Sequence, residues 1–394
     1  MVQAAGPLFP FCPALAPASL YLHLPFCSVK CHYCDFVVRV LRQPAQIDRY
    51  LDHLALELAA LGPLTAGLET LYVGGGTPSL LDIPQIERLG QLLRTHFSLA
   101  SLAEWTLEVN PESAEADSLA AWQAIGVNRI SLGVQSFDPE LLKSCGRPHA
   151  VGDIHRAVAA LKRAGLDNFS LDLIYGLPGQ SDASWLLSLN AALALEPAHV
   201  SLYALEVHAM THFGHLQLDL PDEDQAAGMY ELACELLGAA GLSHYEIANW
   251  ARPGRQSRHN TVYWHNLPFA AAGVGAHGYL DRRRYANPAS LAEYYRICAT
   301  ASWAWTRIEP QSRAAEIEET VFLGLRLLNQ GLDLDAFERR FGSSLASYYP
   351  QVLPRLLELG MLHSEGHHLK LTPQAVMVSN TLFSEFLEPK RVNS

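Results

Sequence analysis

The sequence predicts an α/β protein: a partial, open barrel of six parallel β/α units, followed by a smaller, mostly helical, winged-helix-like unit. Three observations carry this. Strand-like and helix-like runs alternate from residue 19 to about 206, the pattern of a parallel sheet with helical crossovers. Six such units are too few for a closed eight-fold barrel, so an open barrel is the first expectation and an eight-unit barrel the second. Of 394 residues, 49% are hydrophobic and only 17% charged. That composition supports a large core and excludes a disordered chain or a small disulfide scaffold.

Taken in order, residues 1–18 are rich in Ala and Pro and are expected to be flexible. No Lys or Arg precedes Lys30, so the charged start of a signal peptide is missing. The predicted strands are Ser19–Leu24, Thr70–Val73, Trp105–Val109, Arg129–Val134, Phe169–Ile174 and Val200–Leu205. Between the first two, Ile47, Tyr50, Leu51, Leu54 and Leu58 recur at helical spacing. Further helices are expected to begin near Ile83, Ala114, Asp153 and Asp182. Together, 19–206 form the core unit. Residues 207–312 are expected to complete the barrel, with a helix near 223–240 and a dense loop region over 244–288. From 313 to 394, three helices and a hairpin around Glu365-Gly366 predict the winged-helix-like unit.

Charge and hydropathy exclude several function classes. The formal net charge is −12, and the nearest thing to a basic run is Arg282, Arg283 and Arg284. A nucleic-acid binder or a protein held on anionic lipid is therefore not expected. Residues 331–394 hold six basic and seven acidic side chains, so DNA is a poor ligand for the winged-helix-like unit. No uncharged apolar run approaches the roughly 20 residues of a spanning helix, so no intrinsic membrane anchor is expected. A cytoplasmic, reducing compartment fits, where Cys is more often a metal ligand than a disulfide half.

Seven Cys are present, and three fall within eight residues: Cys27-x3-Cys31-x2-Cys34. Zinc closes a tetrahedron with four ligands, and no second pair is at hand. Three thiolates on a four-iron cluster would leave one iron open to a small molecule. The remaining Cys, Cys145 among them, read as buried or incidental. Gly74-Gly75-Gly76-Thr77 follows the second strand, where missing side chains would let a ligand approach the backbone. Glu108 ends the third strand, Gln135 the fourth and Glu206 the sixth, while Asp172 lies between Leu171 and Leu173 on the fifth. Arg147 sits in a Gly/Pro turn suited to a carboxylate. In parallel barrels, function gathers at these strand ends. Further on, His259-Asn-x-x-Tyr263-Trp264 and Gly273-x-Gly275-x-His277-Gly278 combine imidazole, aromatic rings and glycines, a set suited to a flat macrocycle.

The string from Tyr21 through Cys27, Cys31, Tyr33 and Cys34 to Asp35-Phe36 resembles the opening of the radical S-adenosylmethionine (SAM) superfamily. Within it, the chain resembles the group of anaerobic coproporphyrinogen III oxidase and its heme-chaperone relative, HemW. The resemblance runs from residue 19 to about 388. It implies a [4Fe-4S] cluster on Cys27, Cys31 and Cys34 whose open iron binds the amino and carboxylate groups of SAM. One electron then splits SAM to methionine and a 5′-deoxyadenosyl radical. It implies cofactor contacts from Tyr21, Gly75, Gly76, Thr77 and Glu108. Gln135, Arg147 and Asp172, with Glu206, would bind a second SAM-like or substrate group. The string at His259, Tyr263 and Trp264 resembles a heme-binding motif, with His259 the axial ligand, and His277 falls near the SAM and substrate pocket.

Two functions follow from the resemblance. The oxidase carries a further Cys two positions after the third cluster Cys, where this chain has Phe36, and it has a longer N-terminal stretch. Both departures imply the chaperone, which binds heme, delivers it to respiratory proteins and has no catalytic residue to name. The alternative is oxidative decarboxylation of coproporphyrinogen III in porphyrin biosynthesis, with Arg147 or Arg282–Arg284 pairing with substrate carboxylates.

Overall fold

The computed structural model describes residues 16–387. Six parallel strands form its centre: β1 (Ser19–Leu24), β2 (Thr70–Gly75), β3 (Glu104–Val109), β4 (Arg129–Gln135), β5 (Phe169–Tyr175) and β6 (His199–Ala204). The crossover helices are α1 (Ala45–Leu61), α2 (Ile83–His96), α3 (Ala116–Ile125), α4 (Val151–Arg163) and α5 (Asp182–Ala194). Three of the predicted strands run one or two residues further toward their C-terminal ends than their apolar runs, because glycine and polar residues continue the ladder there.

Each strand splits its side chains by period two. On β1, Leu20, Leu22 and Leu24 are fully or almost fully buried, as are Ile47, Leu51, Leu54 and Leu58 of α1 in the same core cluster. Burying each such side chain contributes about 1.5–3 kcal/mol. The other face carries polar groups that hydrogen-bond across neighbouring strands. Thr70 Oγ1 donates to Ser19 Oγ at 2.8 Å, and Ser131 Oγ donates to Asp172 Oδ2 at 2.7 Å. The barrel interior is therefore polar, while the strand-to-helix layer is apolar. Local chemistry fixes the helix starts: Asp82 and Gln85 form a reciprocal capping box at α2.

The 207–312 stretch adds α6 (Glu223–Ala239) and extends both edges of the same sheet. β7 (Ser243–Glu246) and β8 (Asn249–Ala251) pair antiparallel, and β8 lies antiparallel to β6. α7 (Arg258–Trp264) then leads to β9 (Ala270–Ala272), parallel to β1. The order β9-β1-β2-β3-β4-β5-β6-β8-β7 leaves the sheet open, so the eight-unit barrel is not formed. Much of the expected loop region is thus strand and helix. β9 was hidden because three alanines carry no strand preference of their own.

Buried Glu57 of α1 pins this stretch to the core. Its carboxylate accepts from Gly273 N at 2.8 Å, Asn287 Nδ2 at 2.6 Å and Tyr294 Oη at 2.5 Å. Beyond α8 (Leu291–Thr300) and α9 (Arg313–Leu325), five short helices and a three-stranded sheet among the described residues form the winged-helix-like arrangement. Most of the expected flexible N-terminus lies outside the described residues. Within them, Pro17 O accepts Ala66 N at 2.9 Å and Ala18 O accepts Glu69 N at 2.7 Å, so residues 17 and 18 are tied to the fold.

Candidate functional site

A cavity of about 450 Å³ opens at the C-terminal ends of the six strands. Its lining joins Cys27, Cys31 and Cys34 to Gly75, Gly76, Thr77, Glu108, Gln135, Arg147, Asp172 and Glu206. Of the nine residues from Tyr21 to Glu206 expected to contact SAM or a second group beside it, Tyr21 alone is outside the lining. Its hydroxyl pairs with His23 Nδ1 at 3.0 Å, and its ring packs on Tyr72, which does line the cavity.

The cysteine loop is closed at its neck by main-chain bonds. Arg39 N donates to Pro25 O at 2.6 Å and Leu41 N to Cys27 O at 2.8 Å. Its middle is clamped from outside: His32 N donates to Cys145 O at 2.9 Å, and His32 Nδ1 bonds Ser144 O at 2.7 Å. The Cys145 main chain is therefore part of the loop's seat, and its thiol is buried. Burial pushes the Cys27 thiol up and the Cys34 thiol up to about 11. Among the described residues, no group of His, Cys, Asp and Glu is arranged to hold a single metal ion. Three half-buried thiols on one cavity wall instead suit a group larger than an ion, with Arg147 Nη1 donating to Cys31 Sγ at 3.5 Å. Arg147 Nε is buried without a partner, a donor left over beside that wall.

The glycine run serves the protein's own packing, while Gly75 and Gly76 also line the cavity. A Cβ on Gly74 would meet the Glu108 carboxyl at 2.7 Å, and one on Gly76 would meet Phe26 O at 2.6 Å. Gly75 has φ +110°, and its Cβ would strike the His23 ring. The run lets Glu108 fold back: Oε2 accepts Gly75 N at 2.8 Å and Oε1 accepts Tyr72 Oη at 2.9 Å. Burial pushes the Glu108 carboxyl up to about 7.

Gln135 sits at φ +66°, unusual for a side-chain-bearing residue, where the β4–β5 register shifts. Such a bulge re-aims a side chain at a strand end, here into the cavity. Asp172 is held by Ser131 and by Ser170 Oγ at 2.9 Å, and burial raises its carboxyl. Arg147 Nη2 donates to Asn110 Oδ1 at 2.9 Å and Gly133 O at 2.8 Å. Glu206 is an exposed rim residue, with His208 Nε2 at 3.5 Å from both Glu206 and Asp35. Asn110, Tyr72, Tyr203 and His208 also line the cavity and were not expected. The string Glu108-Val109-Asn110-Pro111, directly at the end of β3, is the one clue to Asn110 in the sequence.

The expected heme set departs most from expectation. His259 is fully buried, and its two ring nitrogens meet Thr70 Oγ1 and Tyr263 Oη, each at 2.8 Å. It lies at the N-terminal end of the barrel, beside the first residue of β2, and not at the cavity. Arg326 lies over Trp264 at 4.3 Å, so Trp264 braces the C-terminal unit. His277 is exposed on a hairpin and outside the cavity lining. The space beside the glycines near it is taken by Val37 at Gly275 and Tyr285 at Gly278. The arginine run is also committed elsewhere: Arg282 to Glu316 at 2.8 Å, Arg283 to Asp281, and Arg284 to Glu319 at 2.8 Å.

Residues 21–192 match the radical SAM superfamily and residues 311–378 the HemN C-terminal domain. The chain is 36% identical to the heme chaperone HemW of Bacillus subtilis, over 94% of this chain and 99% of that one. It is 37% identical to the heme chaperone HemW of Lactococcus lactis, over 94% and 97%, and 42% identical to that of Escherichia coli, over 67% and 70%. Among solved structures, coproporphyrinogen III oxidase (HemN) from Escherichia coli, a radical SAM enzyme, superposes with a TM-score of 0.83. It is 27% identical, covering 94% of this chain and 90% of that one. The chain belongs to the HemW family of heme chaperones within the radical SAM superfamily.

Proposed function

We propose that this chain binds heme as cargo and passes it to heme-accepting respiratory proteins, with a [4Fe-4S] cluster and SAM held in the barrel cavity. The observation that carries the cofactor part is the convergence of three thiols and the Gly75–Thr77, Glu108 and Gln135 groups on one cavity. In this reading Cys27, Cys31 and Cys34 hold the cluster, which when bound supplies one-electron chemistry. Glu108, Gln135 and Asp172 offer acceptors and an amide to the polar groups of SAM. Asn110, Gly133 and Cys31 take the terminal nitrogens of Arg147, which leaves its Nε as the donor toward a bound group. Glu206, with His208 and Asp35, marks the rim.

The family relatives named as heme chaperones support the cargo. Among the described residues no helix is long and apolar enough to cross a membrane. A reducing, cytoplasmic compartment suits a thiol-bound cluster.

Coproporphyrinogen III oxidation is the second reading, favoured by the superposition on that oxidase. Against it stand Phe36, which is exposed and not a thiol, and an arginine run spent on internal ion pairs. One experiment separates the two. Anaerobically reconstituted protein is titrated with heme while the Soret band is followed, and a parallel sample receives coproporphyrinogen III, SAM and a reductant. Saturable heme binding with no product is expected. Product formation from a cluster-loaded sample would reject the carrier reading.

A further inference from the structure

The His259–Trp264 string closes the end of the barrel opposite the cavity, yet a short chain of contacts joins the two. α7 is docked by Glu104, whose carboxylate accepts Arg258 N and His259 N, each at 2.9 Å. Glu104 and Glu108 are four residues apart on β3 and share the inward face. The Thr70 hydroxyl hydrogen is given to Ser19 Oγ, so Thr70 Oγ1 accepts from His259 Nδ1–H. Nε2 then carries the lone pair and accepts the Tyr263 hydroxyl. Burial lowers the imidazole to about 3, in keeping with a neutral ring in this tautomer. That ring lies against the Tyr72 ring, centroids 5.4 Å apart. Tyr72 Oη in turn donates to Glu108 Oε1 at 2.9 Å on the cavity floor.

We propose that His259 is a positioning residue for the S-adenosyl ligand: fixed by Thr70 and Tyr263, it sets the Tyr72 ring and, through its hydroxyl, the Glu108 carboxylate. This rests on the reading that the cavity holds SAM. It assigns the string to the cofactor end of the molecule's work, although its sequence suits a macrocycle. Ligation of iron by Nε2 would require Tyr263 to give up its bond and the plug to open.

The test uses full-length, anaerobically reconstituted protein and SAM as the probe, with affinity read by calorimetry and iron content checked throughout. His259→Ala is expected to weaken SAM about tenfold, the scale of one lost hydrogen-bonded contact, with iron content unchanged. Tyr72→Phe is expected to do the same. The double variant should be no weaker than the weaker single variant, because both act on one contact chain. His259→Asn can restore the Thr70 bond and His259→Gln the Tyr263 bond, so each should recover part of the loss. These two and Tyr263→Phe, expected to cost about threefold, carry the test if His259→Ala does not fold.

Unchanged SAM affinity in the His259 variants, or fully additive losses with Tyr72→Phe, would overturn the proposal. Unchanged SAM affinity together with a lost or shifted heme Soret band would make His259 a heme ligand instead. Cluster-loaded wild type that binds no SAM would reject the cofactor reading, and the positioning role with it.

Discussion

The two ends of the barrel are built from the same six strands and nearly the same polar side chains, yet they are finished differently. At the N-terminal end, Ser19, Thr70, Glu104, His259 and Tyr263 find each other, and α7 lies across them. Arg129 Nε and Asn168 Oδ1 are exceptions, buried there without a partner. At the C-terminal end, Arg147 Nε has no partner, Gln135 is held at positive φ, and three thiols face a cavity. Buried polar groups that satisfy one another build structure; strained or unsatisfied ones beside a cavity await a ligand. Imidazole and aromatic chemistry alone does not tell these apart, since the His259 string is at the satisfied end.

This contrast can be broken by substitutions placed at each end. The largest effect belongs to the cavity wall. Replacing any one of Cys27, Cys31 or Cys34 with Ala should reduce iron and sulfide content to background with far-ultraviolet circular dichroism unchanged. A fully loaded variant would show that the thiol is not a ligand.

Next is the core pin. Glu57→Ala removes three buried hydrogen bonds and should cost about 3 kcal/mol in denaturant unfolding, with SAM affinity of the folded fraction unchanged. Lost SAM binding at intact fold would blur the division between the two kinds of site.

Glu108→Gln is expected to act in the opposite sense. The Glu108 carboxyl lies at about 7 in the fold, above its ordinary 4.5. A raised carboxyl favours the protonated fold, so its contribution to stability is greatest below about 4.5 and declines as pH rises toward about 7. Glu108→Gln should flatten thermal stability across that window while weakening SAM. Weakened SAM with an unchanged pH profile would place the titration elsewhere.

The smallest effect is expected at the arginine run. Arg284→Ala loses a partly buried ion pair with Glu319, a hydrogen bond to Asn266 and a ring contact with Tyr279, a stability cost of about 1–3 kcal/mol, and should leave heme binding within about twofold. A large loss of tetrapyrrole affinity would restore the run as a carboxylate site.

Legibility in the sequence followed from range. The cysteine loop was readable because all three thiols lie within eight residues. Glu108, Gln135 and Asp172 were readable because each lies at or near the end of an apolar strand, where a parallel barrel gathers its site. Asn110 and His208 were not, since their roles depend on Arg147 and Asp35 from distant segments. The glycine run was legible as a place without side chains, but its packing role was not. What fills the missing Cβ positions is Glu108, His23 and the backbone near Phe26, brought there by pairing between β1, β2 and β3.

By itself, then, the sequence determined the parallel α/β core, the three-cysteine loop and the strand ends where that loop meets polar residues, because strand period and local spacing are properties of contiguous residues. Tertiary structure alone decided the open sheet edge at β9, the pin at Glu57, the ion pairs that occupy Arg282–Arg284 and the burial of His259. Each depends on which distant partner completes a hydrogen bond or fills a space. A neutral imidazole becomes a ligand or a strut according to what its two nitrogens face.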